Sequence, residues 1–389
     1  MIGRDIEEAM DCSAVRITVG VLADATGITE KTIRRIINDK GESNFCNFLS
    51  ISDFLFDNDD TLVSWFYLFE KPENLCAAME YLALKKNITE LQKFIKAKVI
   101  CEDTKGKAVL RRWGNVYQLI ADYEMNPVDH EDMLERITRK IPADTEMHLL
   151  IKLVEASVCY RILSDEEAYL KKMRNICVLI KNDVENLKPS FFKKSFQLRL
   201  NDLLGKSELF VNVNIEEARK YAKENINQNI CATLKANSYY LLGRSFTFES
   251  CEERIKYTKL AIKYYRLAGD HGFADSLERQ SIPFIKAHYN ISVPKEDEEG
   301  RAYYEAKWGD KEKAKSLLKD IIAEQGENMY RIFYLGLANN DPMLLTKSLA
   351  QFLRVGDNFF AQLPLEHLKK FTDPTVAMLT ETIYDQLAI

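Results

Sequence analysis

Three cations lie close together near the N-terminus: Lys31, Arg34 and Arg35. On a helix, residues spaced by three and four positions lie on one face, so these side chains would point the same way. Lysine and arginine pair with phosphate oxygens, and arginine also reads base edges. The chemistry that this spacing favours is recognition of a nucleic acid, provided that a rigid element holds the face.

Residues 16–40 have the pattern of such an element, a helix-turn-helix. Apolar residues recur at helical spacing at Val19 and Leu22, and Gly27 follows them. A second apolar set consists of Ile28, Ile33, Ile36 and Ile37. Since glycine adopts the positive φ that a sharp turn requires, we predict two short helices that meet at Gly27. An ordinary helical hairpin is the alternative.

The exposed face of the second helix is predicted to contact DNA, because base contacts come from the N-terminal part of a recognition helix. The predicted DNA-binding residues are Thr29, Glu30, Lys31, Thr32, Arg34, Arg35 and Asn38. Residues 1–56, the predicted DNA-binding domain, hold six Lys and Arg against nine Asp and Glu, a net charge of −3. A DNA-binding domain with so little positive charge needs two copies to bind well, so we expect a homodimer on promoter DNA.

The rest of the chain has the pattern of one helix after another. Its 15 glycines and 9 prolines are few for 389 residues, since average usage gives roughly 27 and 19. Breaks such as Gly269-Asp270 and Gly309-Asp310 have the form of a helix C-terminal glycine followed by an N-cap. We predict an all-α fold, in which the N-terminal helix-turn-helix is followed by a tetratricopeptide-like, helical-pair superhelical solenoid.

Helical pairs are clearest between residues 239 and 264. One helix carries Tyr239, Leu242, Gly243 and Phe246, and the next carries Tyr257, Ala261 and Tyr264. Such pairs must stack to bury their apolar faces, and the resulting concave surface suits an extended peptide. We expect residues 57–189 to form a helical linker with degenerate repeats, and residues 190–389 to form the peptide-binding and dimerisation region. A repeat scaffold without a ligand is the alternative.

Patterns typical of enzymes and metal sites are missing from the sequence. The eight cysteines include no C-x-x-C pair, no histidine lies at zinc spacing, and there is no phosphate-binding glycine loop. The acidic run at 295–299 is interpreted as the first turn of a helix rather than as catalytic carboxylates. We predict no catalytic residue, no cofactor and no metal.

Nothing in the sequence predicts secretion or membrane insertion. Residues 1–11 include four acidic residues, and the most apolar run, 148–163, contains three charged ones. We therefore expect a cytoplasmic protein with no membrane contact. The net charge of −5 argues against a general polyanion binder, so any contact with DNA must be local.

The chain resembles the arbitrium (AimR-like) receptors of temperate phages, which are related to the RRNPP group of peptide-sensing regulators. The similar segments are LADATGITEKTIRRI (22–36), IEEARKY (215–221), YYLLGRS (239–245), KAK (313–315) and DNFFAQLPLEHL (357–368). The resemblance implies a dimeric transcription factor in the host bacterial cytoplasm that a short signal peptide releases or repositions, controlling phage lysis and lysogeny. It also implies dimer contacts in the C-terminal helices, at about 374–389.

The resemblance further implies a set of peptide-binding residues, namely Lys206, Asn237, Arg244, Asn328 and Asp357. Family members clamp the peptide with asparagine and arginine, whereas this chain has Lys206, Thr233 and Arg244 at three of those positions. Asp357 matches the acidic residue of the family. We expect Lys206 and Arg244 to receive the peptide carboxylate, Asp357 to take a cation and the two asparagines to bond the peptide backbone.

Two other functions fit the same pattern of helices. One is a Rap-like interaction protein that sequesters a host regulator and uses its N-terminal helices for docking, which the acidic balance of residues 1–56 favours. The other is a chromosomal quorum-sensing regulator of similar build. A small downstream reading frame for a secreted peptide, and its genomic surroundings, would separate this last function from the phage version.

Overall fold

The computed structural model describes residues 1–13, 16–100, 108–126, 129–162, 169–228, 231–294 and 297–372, together with residues 376, 378 and 381. All regular structure within these ranges is helical and includes no strand, which confirms the predicted all-α fold. None of the described helices is long and apolar enough to cross a membrane. In the same ranges, the seven cysteines are free thiols, and no group of His, Cys, Asp and Glu could hold a metal ion.

The chain divides into two compact units. The first unit consists of Met1–Ile151 and Asn182–Gln197, and the second of Lys152–Lys181 and Leu198–Ile389. The predicted segment 57–189 therefore contributes residues to both units. The predicted three-part division by function stays a prediction.

Nine helices lie wholly in the described part of the first unit. They are α1 (Ile2–Cys12), α2 (Val19–Thr26), α3 (Glu30–Ile37), α4 (Phe45–Leu55), α5 (Asp60–Phe66), α6 (Pro72–Leu84), α7 (Ile88–Ile95), α8 (Ala108–Met125) and α9 (His130–Thr138). A π-helical turn, Lys96–Ile100, extends α7. Three further helices contribute residues to both units: α10 (Thr145–Arg161), α11 (Tyr169–Glu185) and α12 (Phe191–Phe210).

The core of the first unit joins residues that are far apart in the chain. Phe191, at the start of α12, packs on Phe45 of α4 with 4.7 Å between ring centroids. The buried carboxylate of Glu80 accepts hydrogen bonds from the Tyr117 hydroxyl, at 2.8 Å, and from the Ser195 hydroxyl. Since a buried carboxylate requires such donors, residues 191–195 complete this core.

Ten helices of the second unit follow one another with short connections. They are α13 (Ile215–Ile226), α14 (Ala232–Ser245), α15 (Cys251–Leu267), α16 (His271–Ser276), α17 (Ile282–His288), α18 (Glu298–Trp308), α19 (Lys311–Gln325), α20 (Met329–Asn339), α21 (Pro342–Val355) and α22 (Gln362–Leu368). A π-helical turn, Leu277–Ser281, joins α16 to α17. Side-chain caps begin many of these helices: Asp270 accepts from the Phe273 amide at 3.2 Å, and Asp310 from the Glu312 amide at 2.9 Å.

Successive helices in the second unit pack as pairs, as the predicted helical-pair solenoid requires. The pair α14 and α15 contains the predicted repeat unit. Tyr239 stacks on Tyr264 with 5.3 Å between ring centroids, and Phe246 stacks on Tyr257 at 5.8 Å. The acidic run predicted to begin a helix also does so, since Asp297 caps α18 through the Gly300 amide at 2.9 Å. Residues 295 and 296 of that run lie outside the described residues.

Candidate functional sites

The turn between α2 and α3 has the predicted geometry. Gly27 ends α2 with a φ of 70°, and its N–H donates to the Ala23 carbonyl at 2.9 Å. Thr29 then caps α3, since its hydroxyl accepts from the Thr32 amide at 3.3 Å. Ile33 and Ile36 are buried under the turn. This arrangement fixes the direction of α3 relative to α2.

Three predicted DNA contacts share the exposed face of α3. Lys31, Arg34 and Arg35 are all exposed. Arg34 pairs with Glu30 one turn earlier, at 3.0 Å, and the two side chains are 62% and 53% exposed. An ion pair this exposed contributes at most about 1 kcal/mol, so Arg34 can exchange it for a phosphate at little cost. The structure therefore brings four of the seven predicted residues together on one accessible helix.

The other three predicted residues shape the ends of α3. The hydroxyls of Thr29 and Thr32 lie 3.0 Å apart at its N-terminus. At the other end, the Asn38 amide donates to the Arg34 carbonyl at 2.6 Å. These contacts hold the helix in shape, and Asn38 must break its bond before it can reach a base.

Sequence reasoning missed that α1 supports this element. Ile6 and Met10 of α1 are buried. Gly3 lies so close to α3 that a Cβ atom built on it would be 1.9 Å from the Ile37 carbonyl oxygen. The four-residue spacing of Ile6 and Met10 was the available signal, since it marks the apolar face of a helix.

A second cluster, in the second unit, surrounds Arg244 of α14. Its guanidinium carbon lies 4.2 Å from the ring centroid of Phe210 and 4.7 Å from that of Phe360. Arg244 also faces Asp357, with 4.0 Å between the nearest nitrogen and oxygen, and both side chains are largely buried. A cation between aromatic rings is stabilised by their π-faces. The predicted residues Arg244 and Asp357 thus lie together beside the rings of Phe210 and Phe360. We call these four residues the Arg244 cluster.

The carboxylate of Asp357 is only partly compensated. One oxygen accepts from the Phe360 amide at 3.0 Å, and the other faces Arg244 at the limit of an ion pair. Burial raises the pKa of Asp357 to about 6, while Arg244 and the Phe360 amide oppose the shift. A positive ligand group placed beside the Asp357 carboxylate would lower this pKa again.

Lys206 is engaged by a neighbour on its own helix. Its ammonium lies 2.8 Å from Asp202 and 4.3 Å from the ring centroid of Tyr160. Asn237 reaches the same Asp202 oxygen at 3.4 Å, and its amide oxygen accepts from the Tyr265 hydroxyl. Lys206 must therefore leave Asp202 before it can receive a carboxylate.

Aromatic rings connect Lys206 to the Arg244 cluster. Tyr160, under the Lys206 ammonium, stacks on Phe210 with 6.4 Å between ring centroids, and Phe210 in turn lies under Arg244. Beside Lys206, the Oδ1 atom of Asp202 is buried and has no hydrogen-bond partner among the described residues. Such an oxygen can accept from an N–H group of a ligand. Four of the five predicted residues therefore belong to one connected region.

Asn328 is the fifth predicted residue, and it caps α20. Its side-chain oxygen accepts from the Arg331 amide at 2.9 Å. Two residues further on, Tyr330 packs on Phe360 of the Arg244 cluster, with 6.0 Å between ring centroids. In this structure the contact that Asn328 makes is a helix cap.

Sequence reasoning missed Arg254 of α15, which also lies at this site. Its guanidinium carbon is 5.9 Å from the ring centroid of Phe360, and the residue is 4% exposed. The available signal was helical spacing, because Arg254 shares the buried face of α15 with Thr258 and Ala261.

Comparisons with known proteins agree with this architecture. The chain is 25% identical over 345 residues to the AimR transcriptional regulator of Bacillus phage phi3T, which covers 85% of this chain and 87% of that protein. It is 26% identical over 260 residues to an uncharacterized protein of Bacillus anthracis, covering 61% and 90% respectively.

Two solved structures have the same fold. Selenomethionine phAimR superposes with a TM-score of 0.69 and 20% identity, covering 98% of this chain and all of that one. A phAimR structure with ligand gives a TM-score of 0.67 and 22% identity, covering 85% and 98%. At these identities the likeness establishes the helical fold.

A family model described as AimR transcriptional regulator-like matches residues 60–370. The family and the phage relative are both described as transcriptional regulators, which confirms the prediction that the chain is not an enzyme. Because the matched range spans well over half of the sequence, the chain belongs to the AimR transcriptional regulator-like family, as its resemblance to the arbitrium receptors predicted.

Proposed function

We propose that this chain is a peptide-responsive regulator of phage lysis and lysogeny, acting in the host bacterial cytoplasm. Two copies bind promoter DNA through α3, and a short signal peptide bound at the Arg244 cluster releases or repositions them. The observation that carries the DNA-binding part is the exposed face of Lys31, Arg34 and Arg35, which the turn at Gly27 holds in a fixed direction. The peptide part is supported by the buried, incompletely paired charges of the Arg244 cluster.

Similar proteins support both parts. The relative from phage phi3T is named as a transcriptional regulator, and one of the two similar structures is of phAimR with a ligand. A helical-pair solenoid offers a surface suited to an extended peptide. The cations and carboxylates of the Arg244 cluster match the termini and charged side chains that such a peptide carries.

The DNA-binding part is tested by gel mobility shift on DNA flanking the gene. Replacing both Arg34→Ala and Arg35→Ala should lower the specific affinity by about 30-fold or more, since each bidentate base contact is worth about 1–3 kcal/mol. The matched control replaces Arg136 of α9 and Arg139, which follows this helix, with alanine. These two arginines are also exposed and also pair with carboxylates one turn away, so the change in net charge is the same. If the two double variants bind the specific DNA with equal affinity, α3 is not the element that recognises it.

The peptide part is tested on the same DNA with synthetic peptides from small reading frames beside the gene. A peptide that binds should change the mobility of the complex, and Arg244→Ala should raise the required peptide concentration by about tenfold or more, since hydrogen bonds to charged groups contribute about 1.5–3 kcal/mol. The control is Arg266→Ala, which removes an exposed arginine paired with Glu278 at 2.7 Å. If both variants respond as the unmodified chain does, the peptide binds elsewhere.

Sequestration of a host regulator stays the second candidate function, because the predicted DNA-binding domain is acidic overall, with a net charge of −3 over residues 1–56. A chain that ignores all flanking DNA but retains one bacterial regulator in a pull-down would favour this function. The genomic position of the gene would show whether the peptide controls a chromosomal or a phage promoter.

A further inference from the structure

Arg254 is a buried guanidinium without hydrogen-bond partners for two of its nitrogens. It lies in the first turn of α15 and is 4% exposed. Its Nε and Nη1 atoms are shielded from solvent and have no hydrogen-bond partner among the described residues. The nearest rings are Phe284 at 5.3 Å and Phe360 at 5.9 Å from the guanidinium carbon. Rings contribute π-faces but no acceptor atoms, so the donors stay unsatisfied.

No carboxylate in the described part of the chain compensates the charge of Arg254 within 4.0 Å. Burial, and to a lesser degree the neighbouring Arg244, lower its pKa to about 10, although Tyr240 opposes the shift. Arg254 is still a cation at neutral pH. A buried charge without a partner is strongly unfavourable, so this residue makes the folded protein less stable than an apolar side chain would.

Arg331 shows how this fold satisfies a buried arginine. It is 8% exposed, and its guanidinium donates to both oxygens of Glu299 at 3.2 Å. It also donates to the carbonyls of Gln325 and Gly326, at 3.1 and 2.9 Å. Arg254 has no comparable set of acceptors among the described residues, and the contrast favours a partner supplied by a ligand.

The local charges favour a ligand group with one negative charge. Arg244 and Arg254 both lie beside Phe360, whereas only Arg244 faces the carboxylate of Asp357. Arg244, Arg254 and Asp357 together therefore have one excess positive charge. A carboxylate has one negative charge and two acceptor oxygens that match the guanidinium fork. A phosphate monoester at neutral pH has about 1.5 to 2 negative charges. It would therefore leave an excess of negative charge among the aromatic rings.

We infer that Arg254 is the receptor for a carboxylate of the ligand that binds at the Arg244 cluster. This inference rests on the proposed function and adds the chemistry of the ligand: a peptide whose terminal or side-chain carboxylate reaches the fork of Arg254. Asp357 then stays available to a positive group of the same peptide. Arg254 is a specificity-determining residue, since a ligand without the carboxylate leaves its cation unpaired.

The first measurement is the melting temperature of the full chain without ligand. Arg254→Met replaces the charge with an apolar side chain of similar length, and it should raise the melting temperature by a few degrees. Arg331→Met is the matched control and should lower it, because it removes the ion pair with half-buried Glu299 and the bonds to the Gln325 and Gly326 carbonyls. If Arg254→Met lowers the melting temperature as much as Arg331→Met does, Arg254 is a structural residue and the inference is wrong.

The second measurement is ligand-induced stabilisation, with random pentapeptide pools as probes. One pool has free C-terminal carboxylates, a second is C-terminally amidated, and a third is amidated and lacks Asp and Glu. The first pool should raise the melting temperature of the unmodified chain and the third should not. The second pool separates the sources: stabilisation by it identifies a side-chain carboxylate, and its failure identifies the peptide terminus.

The variants then separate the inference from the proposed function. Arg254→Met should bind the first pool about 10- to 100-fold more weakly than the unmodified chain, because it loses a charge-assisted pair. If Arg254→Gln, a smaller polar replacement, and Arg254→Met both bind as the unmodified chain does, the inference fails while peptide binding stands. Equal stabilisation by the third pool also overturns the inference alone. If no pool stabilises the unmodified chain, peptide binding and the inference both fail.

Discussion

His288 is a neutral histidine held among rings and cations beside the Arg244 cluster. The Tyr303 hydroxyl lies 2.9 Å from its Nδ1 atom, and its ring stacks on Phe284 at 6.1 Å between centroids. Burial, followed by the charges of Lys307 and Arg254, lowers the pKa of His288 to about 3. The imidazole therefore adds no positive charge to a region that already has an excess.

This lowered pKa predicts how stability depends on pH. The unfolded chain takes up a proton at His288 near pH 6.5 and the folded chain only near pH 3, so this residue's stabilising contribution is lost as the pH falls through that window. His288→Gln stays neutral at both pH values. We therefore expect its melting temperature to fall less between pH 7 and pH 4.5 than that of the unmodified chain. The exposed His271→Gln variant is the control. Parallel curves for all three proteins would contradict the shift.

The residues that bind charges were the hardest to predict. The Asp202–Lys206 pair has the four-residue spacing of a helical ion pair, so the sequence did contain a sign that Lys206 is engaged. Asn328 likewise has the position of an N-cap. Arg254 could not be predicted as unpaired, because the positions of its potential acceptors depend on how several helices pack.

At the scale of helices, α1 approaches α3 closely and supports the helix that we predict to contact DNA. Gly3 is the contact point, and Ile6 and Met10 extend it as an apolar stripe. The turn at Gly27 was predictable, because a glycine between two periodic apolar sets is a local pattern. The spacing of Ile6 and Met10 marks the apolar face of α1, but the packing of this face on α3 was not predictable, since it joins residues more than thirty positions apart.

We predict that Gly3→Ala displaces α1. The added Cβ would lie 1.9 Å from the carbonyl oxygen of Ile37, which is backbone and cannot swing away. The variant should lose about 1–3 kcal/mol of stability, as overpacked sites do, and should bind DNA more weakly. Thermal unfolding and gel mobility shift measure both effects.

Gly20→Ala is the control for this substitution. Gly20 lies in α2 of the same element, and a Cβ there would meet its nearest neighbour at an ordinary 3.5 Å. Since alanine is favoured over glycine in a helix by about 1 kcal/mol, this variant should be neutral or more stable. Equal behaviour of the two variants would show that the contact at Gly3 is unimportant.

At the scale of the whole molecule, dimerisation stays a prediction. The segment expected to form the dimer contacts, 374–389, lies outside the described residues apart from 376, 378 and 381. The all-α fold and the helical pairs were predictable, because scarce glycine and proline and the spacing of apolar residues are properties of the sequence itself. Contacts between two copies leave no such periodic signal.

We predict that the chain in solution has twice its mass of 45.0 kDa, measured by light scattering. Removing residues 374–389 should return the mass to that of one chain and weaken DNA binding, because two heads on one operator bind more tightly than one. The double variant of Arg34 and Arg35 should stay dimeric and serves as the control. A truncated chain that keeps the double mass would place the interface elsewhere.

The hydrogen bonds that Tyr117 and Ser195 donate to buried Glu80 join early and late parts of the chain, so this core can close only after residue 195 has been synthesised. The helices predicted to contact DNA are synthesised first, but the surroundings of Phe45 and Glu80 close only after α12 has been made. A nonsense mutation upstream of Phe191 therefore leaves an unfinished core that proteases can attack. Early termination of this gene should therefore yield no stable fragment that carries the predicted DNA-binding helices alone.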